Sequence, residues 1–315
     1  MNEIFEVTEQ NTFPYLMPFP FPLPFDGKPH RWTMGLRPLA LENWLWLDGR
    51  YDKEVALRRE LLSQRRDEVF QACPEAQAAS TEVLELVLVF LEKKHPERFQ
   101  RIREDKSLAP GQTTFEMAVR ALHPLELAGR LVQEDLCVMQ AVPDDFEDAR
   151  EYHLTAAALC FPTRWNLREK IGHPMSEIHD PVPGYREQIN APVNQFMRRL
   201  TPEKPMWRIN WSLNEDSTLF QPGGHGVLEA TPHLTSENAG TEVFLRLERQ
   251  TLRRLPMTSA ILFTIRILQC PLEELNDSEA HQLAQTLRYW PEDLRIYKSF
   301  PVYGPAVLSY LEGRA

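Results

Sequence analysis

Near the C-terminus two runs, Glu242–Leu252 (EVFLRLERQTL) and Ala260–Leu268 (AILFTIRIL), are separated by a few residues that include Leu255-Pro256-Met257-Thr258. The first alternates Phe244, Arg246, Glu248 and Gln250 against Leu245, Leu247 and Arg249. The second is apolar and rich in β-branched residues. Alternation with period two puts successive side chains on opposite faces of a strand, and a β-branched apolar run fits a strand buried on both faces. A short proline-containing connection between such runs predicts an antiparallel hairpin. Met206–Leu213 (MWRINWSL) alternates in the same way, with Trp207, Ile209 and Trp211 opposite Arg208, Asn210 and Ser212. Together the three runs predict an antiparallel meander.

Upstream the period changes. Tyr51–Cys73 spaces Val55, Leu57, Leu61, Leu62, Val69 and Phe70 at helical intervals among charges. Ser80-Thr81-Glu82 opens another helix, with Leu84, Val87, Leu88 and Leu91 on one side. Leu41–Trp46 opens a shorter helix, Leu122–Val132 is a short apolar segment, and the EDLCVMQ that follows reads as a strand. His153–Phe161 is a second apolar strand, closed by Pro162. Arg164–Ile171 and Tyr185–Leu200 read as helical, as do residues 277–312. Gln221–Gly240, rich in Gly, Pro and Ser, predicts a surface loop. The fold class is therefore α+β. Residues 1–30 form an extended apolar arm, because Pro14–Pro29 (PYLMPFPFPLPFDGKP) repeats a residue that cannot continue a helix. The arm is too apolar for a solvated linker and is expected to pack on its own body or on a partner, a second copy included. Residues 31–315 form the body.

The net charge of −10 argues against a general nucleic-acid binder. The four cysteines, Cys73, Cys137, Cys160 and Cys270, are scattered without a C-x-x-C pair, which disfavours a structural zinc site or a disulfide framework. No apolar run reaches the roughly 18 residues of a membrane span, and the acidic start MNEIFEVTEQ is unlike a signal peptide. These features predict a soluble, cytoplasmic protein. Nucleotide-binding glycine fingerprints, nucleophile elbows and H-E-x-x-H are absent, and Gly223-Gly224-His225-Gly226 lacks the Lys-Ser/Thr pair of a phosphate loop.

Three groups remain for chemistry. His179 is followed by Asp180-Pro181-Val182-Pro183. The two prolines stiffen the backbone that displays the imidazole, which suits a protein ligand to one buried metal, heme iron above all. A loop histidine hydrogen-bonded to backbone is the alternative. Arg208 shares a strand face with Asn210, and an arginine in an apolar sheet calls for an anionic partner, such as a heme propionate or oxygen carrying developing charge. A salt bridge to a helix carboxylate would also serve. Arg246, Glu248 and Gln250 form a polar row in which Glu248 can hold a cationic amine; a solvated face is the other reading. The dipeptides Cys73-Pro74 and Cys270-Pro271 are too short to identify a heme thiolate.

Several stretches carry a resemblance. They are GLRPL (35–39), WLWLDGRYDKE after it, LVQEDLCVM (131–139), LCFPTRW (159–165), EKIGHPMSEIHDPVPGY (169–185), WRINW (207–211) and RLERQTLRRLPMTSAILFTIRI (246–267). In this order the chain resembles the heme-dependent oxidative N-demethylase family, formerly a domain of unknown function. The resemblance implies a PAS-like antiparallel sheet that binds heme b, with additional N-terminal helices. It implies a monooxygenase reaction on a small secondary amine such as dimethylamine, using O2 and giving primary amine and formaldehyde. Electrons would come from NADPH through a reductase subunit carrying FMN and a 2Fe-2S cluster, and a folate-binding subunit would pass formaldehyde to tetrahydrofolate. This chain would be the heme subunit. Carried onto it, the pattern of PAS gas sensors implies His179 as metal ligand and Arg208 as the group that polarises oxygen, with Arg246 or Arg266 as alternatives. Glu248 or Tyr185 would anchor the amine, and Arg254 is placed with His179 as cofactor-binding. A heme-based gas or redox sensor without turnover is the rival reading, since fold alone does not fix function.

Overall fold

The computed structural model describes residues 19–99, 122–141, 151–229 and 231–314. The first 18 residues of the expected arm lie outside them. The described strands are β1 (Arg37–Pro38), β2 (Phe70–Ala72), β3 (Asp135–Ala141), β4 (Tyr152–Ala158), β5 (Met206–Asn214), β6 (Phe244–Arg254) and β7 (Ile261–Pro271). They form one antiparallel sheet in the order β1-β5-β6-β7-β3-β4-β2. The helices are α1 (Tyr51–Gln64), α2 (Arg66–Val69), α3 (Gln77–Lys94), α4 (Pro124–Gly129), α5 (Met175–Ile178), α6 (Asn190–Arg199), α7 (Ala239–Glu242), α8 (Asp277–Arg288), α9 (Glu292–Tyr297) and α10 (Phe300–Glu312). The α+β class and the meander agree with the sequence. Among the described residues no helix is long and apolar enough to cross a membrane.

The β6–β7 hairpin pairs Glu248 with Ile267 and Gln250 with Ile265. Its tip closes through Leu255 N to Ala260 O (2.8 Å). Glu82 of α3 receives the tip: its carboxylate accepts from the amides of Met257 (2.7 Å) and Thr258 (2.8 Å) and from the Thr258 hydroxyl (2.6 Å). This carboxylate on a helix flank satisfies turn amides that no strand pairs.

Two apolar cores flank the sheet. One gathers Leu245, Leu247, Leu268 and Cys270 with α8 and α10, and takes in Phe21 and Phe25 of the arm. Phe25 meets Trp211 edge-on, and Phe21 lies against Trp46 and Trp207, so the described part of the arm packs on the body. The other core joins α1, α3 and α4 to β3 and β4, and includes Ile265 and Ile267.

Three expectations are corrected. The helix expected over Tyr51–Cys73 stops at Arg65, restarts for one turn in α2, and gives way to β2. Phe70–Ala72 pairs with Ala158–Ala156, so the open edge of β4 captures the backbone that helix periodicity assigned to α1. Arg164–Ile171 holds a single 3-10 turn, Leu167–Glu169, capped by the Asn166 side chain. Leu41–Asn43 is likewise one 3-10 turn, and the carbonyls of Asn43 and Trp44 accept from Arg249 instead of continuing a helix.

Candidate functional site

The segment between β4 and β5 covers the sheet face that carries the even-numbered residues of β5 and β6. Within it α5 ends at His179, and a left-handed Gly184 (φ 71°) turns the chain into a π-turn beginning at Tyr185. A Cβ at position 184 would lie 3.0 Å from Trp32 Nε1, so this turn needs both the glycine conformation and its small size. The turn stacks the Tyr185 ring on the His179 ring, with centroids 4.5 Å apart and planes 13° from parallel.

His179 Nδ1 lies 3.0 Å from the Met175 carbonyl, which can only accept. The proton therefore sits on Nδ1, and Nε2 carries a lone pair. Burial pushes the His179 pKa down to about 4, and the charges of Lys170 and Arg208 act in the same direction. A neutral ring, fixed through Nδ1–H to a backbone carbonyl, is the form that binds a metal through Nε2. Asp180 does not orient this ring; it pairs with Arg186 at 2.5 Å. Among the described residues no group of three or more His, Cys, Asp or Glu could hold a metal ion.

Arg208, Asn210, Arg246, Glu248 and Gln250 share the facing surface of β5 and β6 through the pairs Arg208–Gln250 and Asn210–Glu248. Glu248 is buried, and its Oε2 accepts from Asn210 Nδ2 (3.1 Å) and Gln250 Nε2 (2.7 Å). Burial alone would raise this carboxyl. The hydrogen bonds from Thr163 and Asn210 and the charges of Arg246 and Lys298 outweigh burial and hold it below its ordinary range. The polar row is therefore enclosed rather than solvated. Arg208 Nε and Tyr185 Oη are buried without hydrogen-bond partners, and both act electrostatically on the same neighbourhood.

The other arginines are engaged by the fold. Arg246 donates to Thr163 Oγ1 (3.0 Å) and to the carbonyls of Phe161 (3.0 Å), Pro162 (3.3 Å), Thr218 (3.1 Å) and Leu219 (2.9 Å). Arg266 is on the opposite face, paired with Asp48 (2.8 Å) and Glu54 (2.7 Å). Arg254, at the far end of β6, donates to the carbonyls of Leu200, Met197 and Ser259 and to the Tyr152 hydroxyl. His179, Tyr185, Arg208 and Glu248 come together; Arg254 stands apart, tied to the end of α6.

Sequence reasoning missed a second wall. His225, in the Gly-rich loop read as surface, stacks on Tyr297 (centroids 4.3 Å apart), with Nε2 3.3 Å from the Tyr297 hydroxyl. Burial brings its pKa down to about 4, helped by the charges of Lys298 and Arg164. Lys298 Nζ donates to the Trp211 carbonyl of β5 (2.9 Å). The flanking glycines of His225 were a readable signal, analogous to the prolines after His179; nothing local marks Tyr297 or Lys298. The site thus offers an imidazole with a free Nε2, a second buried imidazole, an ionised carboxylate, a guanidinium with unused donors and aromatic walls.

A family model described as haem-dependent oxidative N-demethylase, alpha subunit-like, matches residues 35–308, a span that contains every residue of this site. The chain belongs to that family, and with membership come heme dependence and a place as one subunit beside others.

Proposed function

We propose that this chain is the heme b subunit of a monooxygenase that N-demethylates a small secondary amine of the dimethylamine type, on a PAS-like sheet. The carrying observation is His179: neutral, fixed through Nδ1–H on Met175, with Nε2 free beside Glu248 and Arg208. A ligand from the helical segment before β5 and an arginine from the sheet is the arrangement the PAS-like reading needs. The unpaired Tyr185 Oη and Arg208 Nε fit a polar ligand group absent from the chain itself.

His179 Nε2 would hold the iron. Heme bound there supplies the oxygen-dependent chemistry that removes two electrons from the N-methyl carbon. Ionised Glu248 accepts an N–H of the amine and orients its methyl group. The Arg208 guanidinium places positive charge where negative charge develops on oxygen. Tyr185 fixes the imidazole plane by stacking and offers its hydroxyl to the same space. Overall, one oxygen atom of O2 ends in formaldehyde and the other in water, with two electrons drawn from NADPH. A reductase subunit with FMN and 2Fe-2S centres, and a folate-binding subunit using tetrahydrofolate, complete this proposal.

Replacing His179 with Ala should abolish the Soret band and the pyridine hemochrome of the purified protein. Full heme content with an unchanged spectrum in that variant would remove His179 from the site. Formaldehyde release from dimethylamine by the reduced wild-type protein in air distinguishes the enzyme from a sensor, which would hold its gas indifferent to amines.

A further inference from the structure

Lys298 occupies the turn between α9 and α10, just before Ser299, whose backbone is left-handed (φ 56°). Its Nζ reaches under β5 to the Trp211 carbonyl at 2.9 Å. The charges that act on it are one carboxylate, Glu248, and two guanidiniums, Arg208 and Arg164. Arg164 also sits in left-handed backbone (φ 57°) and pairs with Glu215 at 2.8 Å. Lys170 adds a further cation that acts on both His179 and His225. Glu248 is already engaged by Asn210 and Gln250, so it does not neutralise this group alone. Arg164 is answered by Glu215, so two cations, Lys298 and Arg208, share Glu248, and holding both there with little water is unfavourable unless another anion enters. Arg208 Nε, buried and unpartnered, and Tyr185 Oη, on a side chain only 5% exposed, leave donors for that anion.

We propose that Lys298 and Arg208 form a carboxylate-binding subsite beside Glu248, filled by a heme propionate or by the carboxylate of a zwitterionic N-methyl amino acid. The inference rests on the proposed heme and amine site for its setting and adds a ligand group to it. Either carboxylate would receive charge-assisted hydrogen bonds from Lys298 and Arg208. In the zwitterion the ammonium would face Glu248 while the carboxylate faces Lys298, so both buried charges would find partners.

The test compares hemin with its propionate dimethyl ester in titrations of the full-length apoprotein, for wild type, Lys298→Gln and Lys298→Arg. N-methylglycine and dimethylamine are then titrated by calorimetry into heme-loaded and heme-free wild type and Lys298→Gln. If a propionate fills the subsite, esterification weakens wild-type binding by about tenfold or more. Lys298→Gln then loses a similar factor for hemin but not for the ester, and Lys298→Arg restores it. If the substrate fills it, hemin and ester bind alike, N-methylglycine binds at least about tenfold more tightly than dimethylamine, and Lys298→Gln erases that preference. Equal binding of hemin and ester together with no preference for N-methylglycine overturns the proposal. The wild-type comparisons can overturn the proposal even if the variants fail to fold, and an ester effect that Lys298→Gln leaves unchanged, together with no preference for N-methylglycine, overturns it as well. A wild-type protein that binds neither porphyrin refutes the heme reading instead, and N-methylglycine binding to the heme-free protein still tests the subsite.

Discussion

Replacing Glu248 with Gln tests whether the enclosed carboxylate is held ionised by its surroundings. The substitution keeps shape and one acceptor oxygen, so the Asn210 and Gln250 donors, at 3.1 and 2.7 Å, can still be accepted. What changes is charge. Hydrogen bonds to an ionised acceptor contribute about 1.5–3 kcal/mol against about 0.5–1.5 for neutral ones. Weakening two of them therefore removes roughly 2 kcal/mol, and loss of attraction to Arg246 and Lys298 adds to that. Relief from burying a charge offsets part of the loss. The net sign follows from the carboxyl pKa, which lies below its ordinary 4.5 despite burial, so the ionised form is the one the fold favours. The expected result at pH 7 is a destabilisation of about 1–3 kcal/mol, read from denaturant midpoints.

The pH dependence sharpens this test. A carboxyl whose folded pKa is depressed contributes stability that is present above its unfolded value and lost as pH falls through the folded value. The gap between wild type and Glu248→Gln should accordingly be full above about pH 5 and narrow as pH falls below the ordinary 4.5 toward the folded pKa. A variant equal to or more stable than wild type at pH 7, or a gap that widens in acid, would refute the view that the site holds Glu248 as an anion.

Arg246→Met should destabilise the chain by about 3–5 kcal/mol, because it strands the carbonyls of Phe161, Pro162, Thr218 and Leu219 that the guanidinium now satisfies; a chemical denaturation midpoint measures it. His179 and His225 have folded pKa values of about 4 against 6.5 unfolded, so the unfolded chain binds their protons first. Heme-free protein should lose stability as pH falls from 6.5 toward 4, and His225→Gln should flatten that slope in a pH series of thermal unfolding.

The meander was legible because period-two alternation in Met206–Asn214 and Phe244–Arg254 records the two faces of a sheet directly in the sequence. His179 was legible because its proline fence is local. The enclosure of Arg246, Glu248 and Gln250 was not, since a polar row looks the same under water as under a covering segment, and the cover comes from residues 159–200, far away in the chain. Strand β2 was hidden for a related reason: Phe70–Ala72 continues a helical spacing, and only the unpaired edge of β4 makes it a strand. His225 escaped because glycines predict a loop without saying which way its histidines turn.

The arginines of the meander separate into two kinds by a property that no sequence pattern carries. Arg246, Arg249, Arg254 and Arg266 all place guanidinium nitrogens on carbonyls or carboxylates of distant segments, so each ties one part of the fold to another. Arg208 and Arg253 have no such ties among the described residues, and the Nε of each is buried without a partner; Arg253 lies over the Trp44 ring on the other face of β6. Burying a guanidinium is unfavourable unless its donors are satisfied. Four arginines spend donors on partners within the chain itself. What sets Arg208 apart from Arg253 is its place, where His179 presents a free nitrogen and Glu248 an ionised carboxylate. Of the arginines once considered for acting on oxygen, Arg246 and Arg266 hold the fold together, which leaves Arg208 as the one with donors to offer a ligand.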